Sequence, residues 1–453
     1  MSLRCLFLIP VFVVIYFIGG SFAQEPIIKP EEEGRLITIV QGIEMTLKNN
    51  HMIRIALPGD EMSYQDSLIS RSALLPSINL TASKGYFRYQ PAAKIGSTVA
   101  NTVNKDPFSF GVDVYQTLFD FGKSLSNFRA SKESFNARKA HTESVKRIAT
   151  LEFITAYFNY LEAQKLIAVA EKEVASLTAY LNDIQHLYEQ GVVVNNDLLP
   201  AKVKLADARQ KLITASNIKE VEGARLNNIL ALSLREKITA QDIVMQPPQF
   251  PDRETAWITA QDLRPEVSFY KDQIKGSLLS QRAKAVENFP VIFAQGDYSY
   301  DQNKYQLHES NASIELGAKM NLYDGGAARA ELFKERSRQK QLNEEKDKLI
   351  DDIGFEIEDS FYSLKNACEK ATVAKDALQQ ADENVRFYRV KYNAGSATTT
   401  DVLEAITLQT KAQTNYCSAD YELKRNYAKL MYSMGMDLKM IYEKMESEKN
   451  GPE

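Results

Sequence analysis

The chain has 453 residues, 44% hydrophobic and 25% charged, and its 55 Lys and Arg against 59 Asp and Glu leave a net charge of −4. No basic field is available for nucleic acid, and a polytopic helical membrane protein is excluded, because that class needs several apolar runs of roughly 20 residues. Four histidines and three cysteines exclude a metal or redox centre built from dense clusters of those residues.

At the amino terminus Arg4 precedes an apolar run from Leu6 to Ile18, broken only by Pro10, and Gly19-Gly20-Ser21-Phe22-Ala23 supplies the small residues that a signal peptidase reads. This pattern predicts a signal peptide over 1–23, cleaved after Ala23, and therefore export. An uncleaved anchor is the alternative, but the run is short for a membrane span. Cys5 would leave with the peptide. Cys368 and Cys417 fall in strongly helical stretches and read as buried thiols. No other segment reads as a transmembrane helix, so membrane insertion would require a barrel.

In chain order, helical patterning covers 36–74, and strands are expected over 76–89 and 108–119. A long helical hairpin follows over 123–234 and an equatorial linker over 236–253, with the proline-rich run Gln246-Pro247-Pro248-Gln249-Phe250-Pro251 inside it. A second helix is expected over 254–288, strands over 290–301 and 311–322, a second hairpin over 327–434 and a charged, frayed tail over 437–453. The strand evidence is alternation. Phe108, Phe110, Val112 and Val114 lie on one face; Ala312, Ile314, Leu316, Ala318, Met320 and Leu322 do the same in the later strand. Such strands, with tyrosines toward their ends, suit a lipid-facing barrel wall, although a soluble sheet with one wet face alternates in the same way.

The order repeats because the chain is written twice. Leu118-Phe119-Asp120-Phe121-Gly122 returns 204 positions later as Leu322-Tyr323-Asp324-Gly325-Gly326, and Tyr188-Glu189-Gln190-Gly191 returns as Tyr392-Asn393-Ala394-Gly395. Asp197-Leu198-Leu199 likewise returns as Asp401-Val402-Leu403. The two repeats are read as 24–235 and 254–436, a spacing far beyond that of solenoid units. Within them Ala163, Ile167, Ala170, Val174, Leu177, Leu181, Ile184 and Tyr188 follow heptad spacing, as do Ala367, Ala371, Ala374, Leu378, Ala381, Val385, Tyr388 and Tyr392. Heptads this long specify antiparallel coiled-coil packing. Neither Gly122–Gly191 nor Gly326–Gly395 contains a proline, so each allows one helix of about 65 residues, roughly 100 Å. Four strands per chain fall short of the eight or so that close small barrels. A membrane barrel would therefore need several copies.

These features resemble the TolC-like outer-membrane efflux proteins. The resemblance is carried by Leu74-Leu75-Pro76-Ser77, Leu118-Phe119-Asp120-Phe121-Gly122, Tyr188-x-x-Gly191 with Asp197-Leu198-Leu199, their second copies, and Met45-Thr46-Leu47-Lys48-Asn49-Asn50. It implies an α+β membrane protein. A homotrimer would form a 12-stranded barrel in outer-membrane lipid and a helical barrel in the periplasm. Function would be passive conduction of substrates delivered by an inner-membrane transporter through a periplasmic adaptor, with no enzyme activity or cofactor. A soluble periplasmic coiled-coil scaffold or adaptor is the alternative.

The same resemblance assigns the hairpin tips. Asp401 and Glu404, three apart and so on one side of a helix, match an acidic entrance ring, against the plainer reading of helix-dipole residues. Tyr392 and Asp197 match a bonded pair that closes the tip, though Tyr392 also completes a heptad and Asp197 also reads as an N-cap. Ala397 stands where an arginine lock is expected, with Asn196 at its partner position. The turns Gly191-Val192-Val193-Val194 and Gly395-Ser396-Ala397-Thr398 match the surface that an adaptor meets. The scattered histidines carry no ligand spacing, Trp257 reads as a packing anchor, and Asn79-x-Thr81 and Asn311-x-Ser313 read as chance glycosylation patterns.

Overall fold

The computed structural model describes residues 35–191, 194–245 and 250–449; the expected signal peptide and the 246–249 part of the proline-rich run lie outside them. The first half runs β1 (Arg35–Ile37), α1 (Ile39–Asn49), α2 (His51–Ser72), β2 (Ser77–Lys84), β3 (Ala92–Ile95), β4 (Thr98–Asn101), β5 (Phe108–Phe119), α3 (Lys123–Glu189), α4 (Asn195–Ile229) and β6 (Ile238–Ala240). The second runs α5 (Arg253–Leu263), α6 (Pro265–Ala285), β7 (Val291–Asp301), β8 (Ser310–Lys319), α7 (Ala327–Asn393), α8 (Thr399–Ser433) and α9 (Leu438–Lys449). Helices α3 and α7 have 67 residues each, and α4 and α8 have 35 each.

Four strands form one antiparallel sheet in the order β2-β5-β7-β8. Its register puts Ile78 opposite Val114, Leu80 opposite Val112, Val112 opposite Tyr298, and Ala294 opposite Leu316, so these residues share a face. The other face carries Asn79, Asp113, Asp297 and Ser313 in one row. On it Asn79 donates to Asp113 at 2.7 Å, and Tyr115 stacks on Phe293 at 5.4 Å. The apolar face is bare: Ile314 is 93% exposed and Leu316 72%. Strands β2 and β8 are unpaired along their outer edges.

Each long helix leaves the sheet through the same device. Asp120 accepts from the backbone N–H of Gly122 at 3.1 Å and of Ser124 at 2.7 Å, while Asp324 accepts from Gly326 at 2.9 Å and Ala328 at 2.8 Å. A carboxylate there satisfies the free N–H groups of a helix start and suits its positive end. Gly122 and Gly326 take φ of 83° and 91°, which only glycine adopts without strain.

The structure corrects several expected boundaries. The helix expected over 36–74 starts as strand β1, which pairs in parallel with β6 inside the expected linker, and it breaks at Asn50, whose side chain caps α2 through Met52 N–H. The helix expected over 254–288 is two, because Arg264 precedes Pro265 and the ring of a proline drives the preceding residue out of helical conformation. Strand β2 stops at Lys84, so Gly85–Tyr89 is not strand. The longer loop of the first repeat instead folds as the β3–β4 hairpin, tied to the next loop by Asn303 donating to Thr102 O at 2.9 Å. Strand β8 stops at Lys319, short of 322.

The tail is the largest correction. Residues Leu438–Lys449 form α9 and pack on the equatorial core, with Leu438 and Tyr442 buried. Leu438, Ile441, Tyr442 and Met445 follow helical i, i+3, i+4, i+7 spacing, which charge counting obscured. Glu446 completes the dock by accepting from Val40 N–H at 3.3 Å, at the open start of α1. The core beneath holds Ile39, Ile43, Phe153, Tyr157, Phe158, Leu364 and Tyr421. Tyr157 places its hydroxyl 3.0 Å from Ile37 O and 2.7 Å from Gln241 O, and Tyr160 donates to Ile238 O at 2.7 Å.

The Tyr442 hydroxyl is buried without a partner, so the ring supplies the docking energy. Tyr442→Ala is expected to destabilise by about 3–5 kcal/mol, whereas Tyr442→Phe is expected to be neutral or stabilising. Thermal unfolding of the full chain in detergent checks both, and equal losses would refute this account of the dock.

Candidate functional site

The hairpin tips are where the expected functional residues gather. Gly191 and Gly395 reverse the chain at φ of 77° and 73°, each with no atom within 4 Å of where a Cβ would stand. Gly395 N–H donates to Tyr392 O at 2.9 Å, and Ser396 closes the turn through its N–H and hydroxyl onto Lys391 O. Gly395 and Ser396 are exposed and Ala397 half-buried, while Val192 and Val193 lie outside the described residues.

Beyond the second turn, Thr398 caps α8 reciprocally with Asp401. Asp401 Oδ2 accepts from the Thr398 hydroxyl and from its N–H, both at 2.7 Å, and the Thr398 hydroxyl in turn accepts from Asp401 N–H at 3.3 Å. The Thr398 hydroxyl and then its backbone hold the Asp401 carboxyl below the usual carboxylate range. The group stays charged at every ordinary pH. Glu404 stands one turn further on and is exposed, whereas Val402, Leu403, Ala405 and Ile406 are buried. The two carboxylates therefore differ: Asp401 is engaged in a cap, and Glu404 faces solvent.

The first turn is built differently. Val194 occupies the N-cap of α4 with no side-chain hydrogen bond, and Asp197 lies in the first turn with its N–H on Val194 O at 2.9 Å. Asp197 is thus not the N-cap. Asn196 is exposed and Asp197 half-buried.

A shared apolar cluster joins the tips. It contains Leu177, Tyr180 and Ile184 from α3, Leu198, Ala201 and Leu205 from α4, Val385 from α7, and Val402, Leu403 and Ile406 from α8. Tyr392 packs against it and meets Tyr180 edge to face, with ring centroids 5.6 Å apart. Its hydroxyl is carried in with the ring, and within this one chain it makes no hydrogen bond to Asp197. Tyr180 escaped sequence reasoning. It falls outside the heptad seam, and the only signal was its place three residues after Leu177. Burial pushes its phenol well above the ordinary value, which keeps it a hydrogen-bond donor.

Further from the tips, a groove of about 1020 Å³ runs between α7 and α8, lined by Val373, Ala377, Ala381, Leu408, Ala412 and Ala419 among others. Trp257 of α5 packs against α7, where a Cβ at Gly354 would stand 3.3 Å from the indole nitrogen. Cys368 and Cys417 are half-buried and unpaired. Among the described residues no group of three or more His, Cys, Asp or Glu could hold a metal ion, and no helix is long and apolar enough to cross a membrane.

Comparison with known proteins places this architecture. The family described as outer membrane efflux protein matches residues 42–231 and 279–436. The chain is 22% identical over 372 residues to the outer membrane efflux protein BepC of Brucella suis, covering 81% of this chain and 78% of that one. It is 18% identical over 416 residues to the outer membrane protein TolC of Escherichia coli, covering 88% and 82%. Among solved structures, the outer-membrane channel OprN superposes with a TM-score of 0.77 at 16% identity, covering 88% of this chain and 90% of that one. The Campylobacter jejuni CmeC outer membrane channel gives 0.77 at 16% identity, covering 90% and 89%. Through a family match that spans most of its length, on both sides of the same two-hairpin plan, the chain belongs to the outer membrane efflux protein family.

Proposed function

We propose that three copies of this chain close into one exit duct: a 12-stranded barrel in the outer membrane above a helical barrel that crosses the periplasm. The carrying observation is the sheet with its two bare edges and an apolar face, continuous with hairpins of 67 and 35 residues. An open sheet edge is not tolerated in lipid, where each unpaired backbone group goes unsatisfied. Joining β8 of one copy to β2 of the next removes every edge and leaves the Asp113–Asp297 face lining water. A soluble scaffold has no use for Ile78, Leu80, Ile314 and Leu316 in the open.

In this reading the duct is passive. Substrate is delivered by an inner-membrane transporter, and a periplasmic adaptor docks at the turns around Gly191, Val192 and Val193 and around Gly395, Ser396 and Ala397. Asp401 and Glu404 of three copies form the entrance ring, which repels anions and attracts cations. The two acids divide the work. Glu404, exposed and uncommitted to a cap, sets the field; Asp401 contributes charge while also holding the helix start.

Fractionation tests the duct. A heat-modifiable trimer extracted from outer membranes by detergent is expected, and release by osmotic shock would favour the soluble scaffold instead. Planar-bilayer recordings test the ring: Glu404→Gln is expected to reduce cation preference without lowering thermal stability. Asp401→Asn is expected to reduce both, because it also breaks the reciprocal cap. The cap's contribution is present above the unfolded carboxyl pKa and is lost as pH falls through the depressed folded value. Unchanged selectivity in the double variant would remove the ring assignment.

A further inference from the structure

Near the turns the two hairpins of one protomer are joined mainly by apolar packing. Among the described residues a single side-chain hydrogen bond crosses between them there. Tyr180 of α3 donates from its hydroxyl to the carbonyl of Thr399, the first residue of α8, at 3.3 Å in buried surroundings. The next crossing bonds lie far back along α3, where Arg425 meets Glu162 at 2.6 Å and Asn159 at 3.0 Å. The Tyr180 ring, 6% exposed, also meets the Tyr392 ring of α7 edge to face. One side chain from the first hairpin thus touches both helices of the second. Leu177, Ile184, Val385, Val402 and Ile406 pack around the same seam and exclude water from it.

Of the residues expected to lock the tip, Tyr392 shares only the ring contact. Ala397 has no hydrogen-bonding side chain, and the Tyr392 hydroxyl is buried with no partner. An unsatisfied buried hydroxyl works against the state that buries it. It opposes closure even while its ring favours closure.

We propose that Tyr180, rather than a Tyr392–Asp197 pair, holds the tip of this channel closed, its ring bridging the seam and its hydroxyl tying α3 to the first turn of α8. The inference rests on the tip being the closed end of a duct. It gives the two tyrosines opposite signs. Removing the Tyr392 hydroxyl relieves a desolvation penalty and keeps the ring contact, so closure is retained or tightened. Removing the Tyr180 hydroxyl deletes the crossing bond, and removing its ring opens the seam.

The experiment is single-channel conductance of the full-length trimer in planar bilayers, paired with sensitivity of expressing cells to a large antibiotic. Tyr392→Phe is expected to match the unsubstituted channel, Tyr180→Phe to open more often, and Tyr180→Ala to show severalfold higher closed-state conductance with sensitised cells. A purely structural defect reduces the number of channels and does not enlarge the current through each. Tight Tyr180 variants, or a Tyr392→Phe channel as leaky as Tyr180→Ala, overturn the proposal. If Tyr180→Ala fails to run as a heat-modifiable trimer, the two Phe variants decide, because the proposal requires Tyr180→Phe to be the leakier. An unsubstituted chain with no conductance in any state overturns duct and latch together; a conducting one with tight Tyr180 variants overturns the latch alone.

Discussion

An unpaired strand edge beside an apolar face is the constraint on which this structure turns. Backbone N–H and C=O groups along β2 and β8 need partners, and the apolar faces of all four strands need to leave water. Neither need can be met within one chain, because four strands have too little width to curl onto themselves. In the proposed ring both are met where β8 of one copy meets β2 of the next, and the register then fixes which side chains face lipid and which face water. The polar row of Asn79, Asp113, Asp297 and Ser313 follows from the same pleat that exposes Leu80 and Leu316. A one-residue slip would exchange the two faces.

The helices inherit their positions from that sheet through two aspartates. Asp120 and Asp324 each seize two backbone N–H groups at the first turn, so α3 and α7 begin at fixed points relative to β5 and β8. From there each runs 67 residues, roughly 100 Å, without interruption. Equal length matters because one inserted residue would turn the far end by about 100° and advance it about 1.5 Å. Tyr180 is the 58th residue of α3 and Tyr392 the 66th of α7, so their meeting depends on both helices running unbroken to that depth. The two starts differ in strain. Phe121 sits at φ of 57° where the second copy has Gly325 at 69°, and the aromatic contacts of Phe121 with Phe119 and Phe289, at 4.8 and 5.1 Å, accompany that conformation.

Periodicity carried the long elements and local chemistry hid the short ones. Heptads over Leu177 to Tyr188 and alternation over Phe108 to Val114 are repeated signals, because every turn or pleat votes again for the same face. A break such as Asn50 or Arg264-Pro265 is decided by one or two residues inside an otherwise helical pattern, and β1 by three residues whose partner, β6, lies two hundred positions away. The acids at α9 drew the eye to charge, yet four apolar residues on one side set its fate. At the tip, the spacing of Asp401 and Glu404 was readable, but the capture of Asp401 by Thr398 was visible only as a Thr-x-x-Asp pattern that two readings shared. Tyr180 was illegible because its partners belong to another hairpin: a carbonyl carries no sequence signature, and a tyrosine beside a heptad looks like any other.

Polar satisfaction changes along the hairpins, and with it the freedom of each level to rearrange. At the equator Tyr157 and Tyr160 reach the backbone of β1 and β6, Lys424 and the Tyr421 hydroxyl both engage Asp242, and Arg264 holds Glu266 and Glu356 beside the end of α8. Separating any of these pairs would strand a buried charge or carbonyl, so that belt resists shear. Toward the turns, among the described residues, the crossing contacts shrink to apolar side chains and one tyrosine bond. Apolar surfaces can slide or part without leaving charges unpaired. The four-stranded sheet and the belt around Tyr157 and Arg264 are therefore the fixed frame, and the last turns of α3 and α7 with the first turns of α4 and α8 are the part that the sequence leaves free to move.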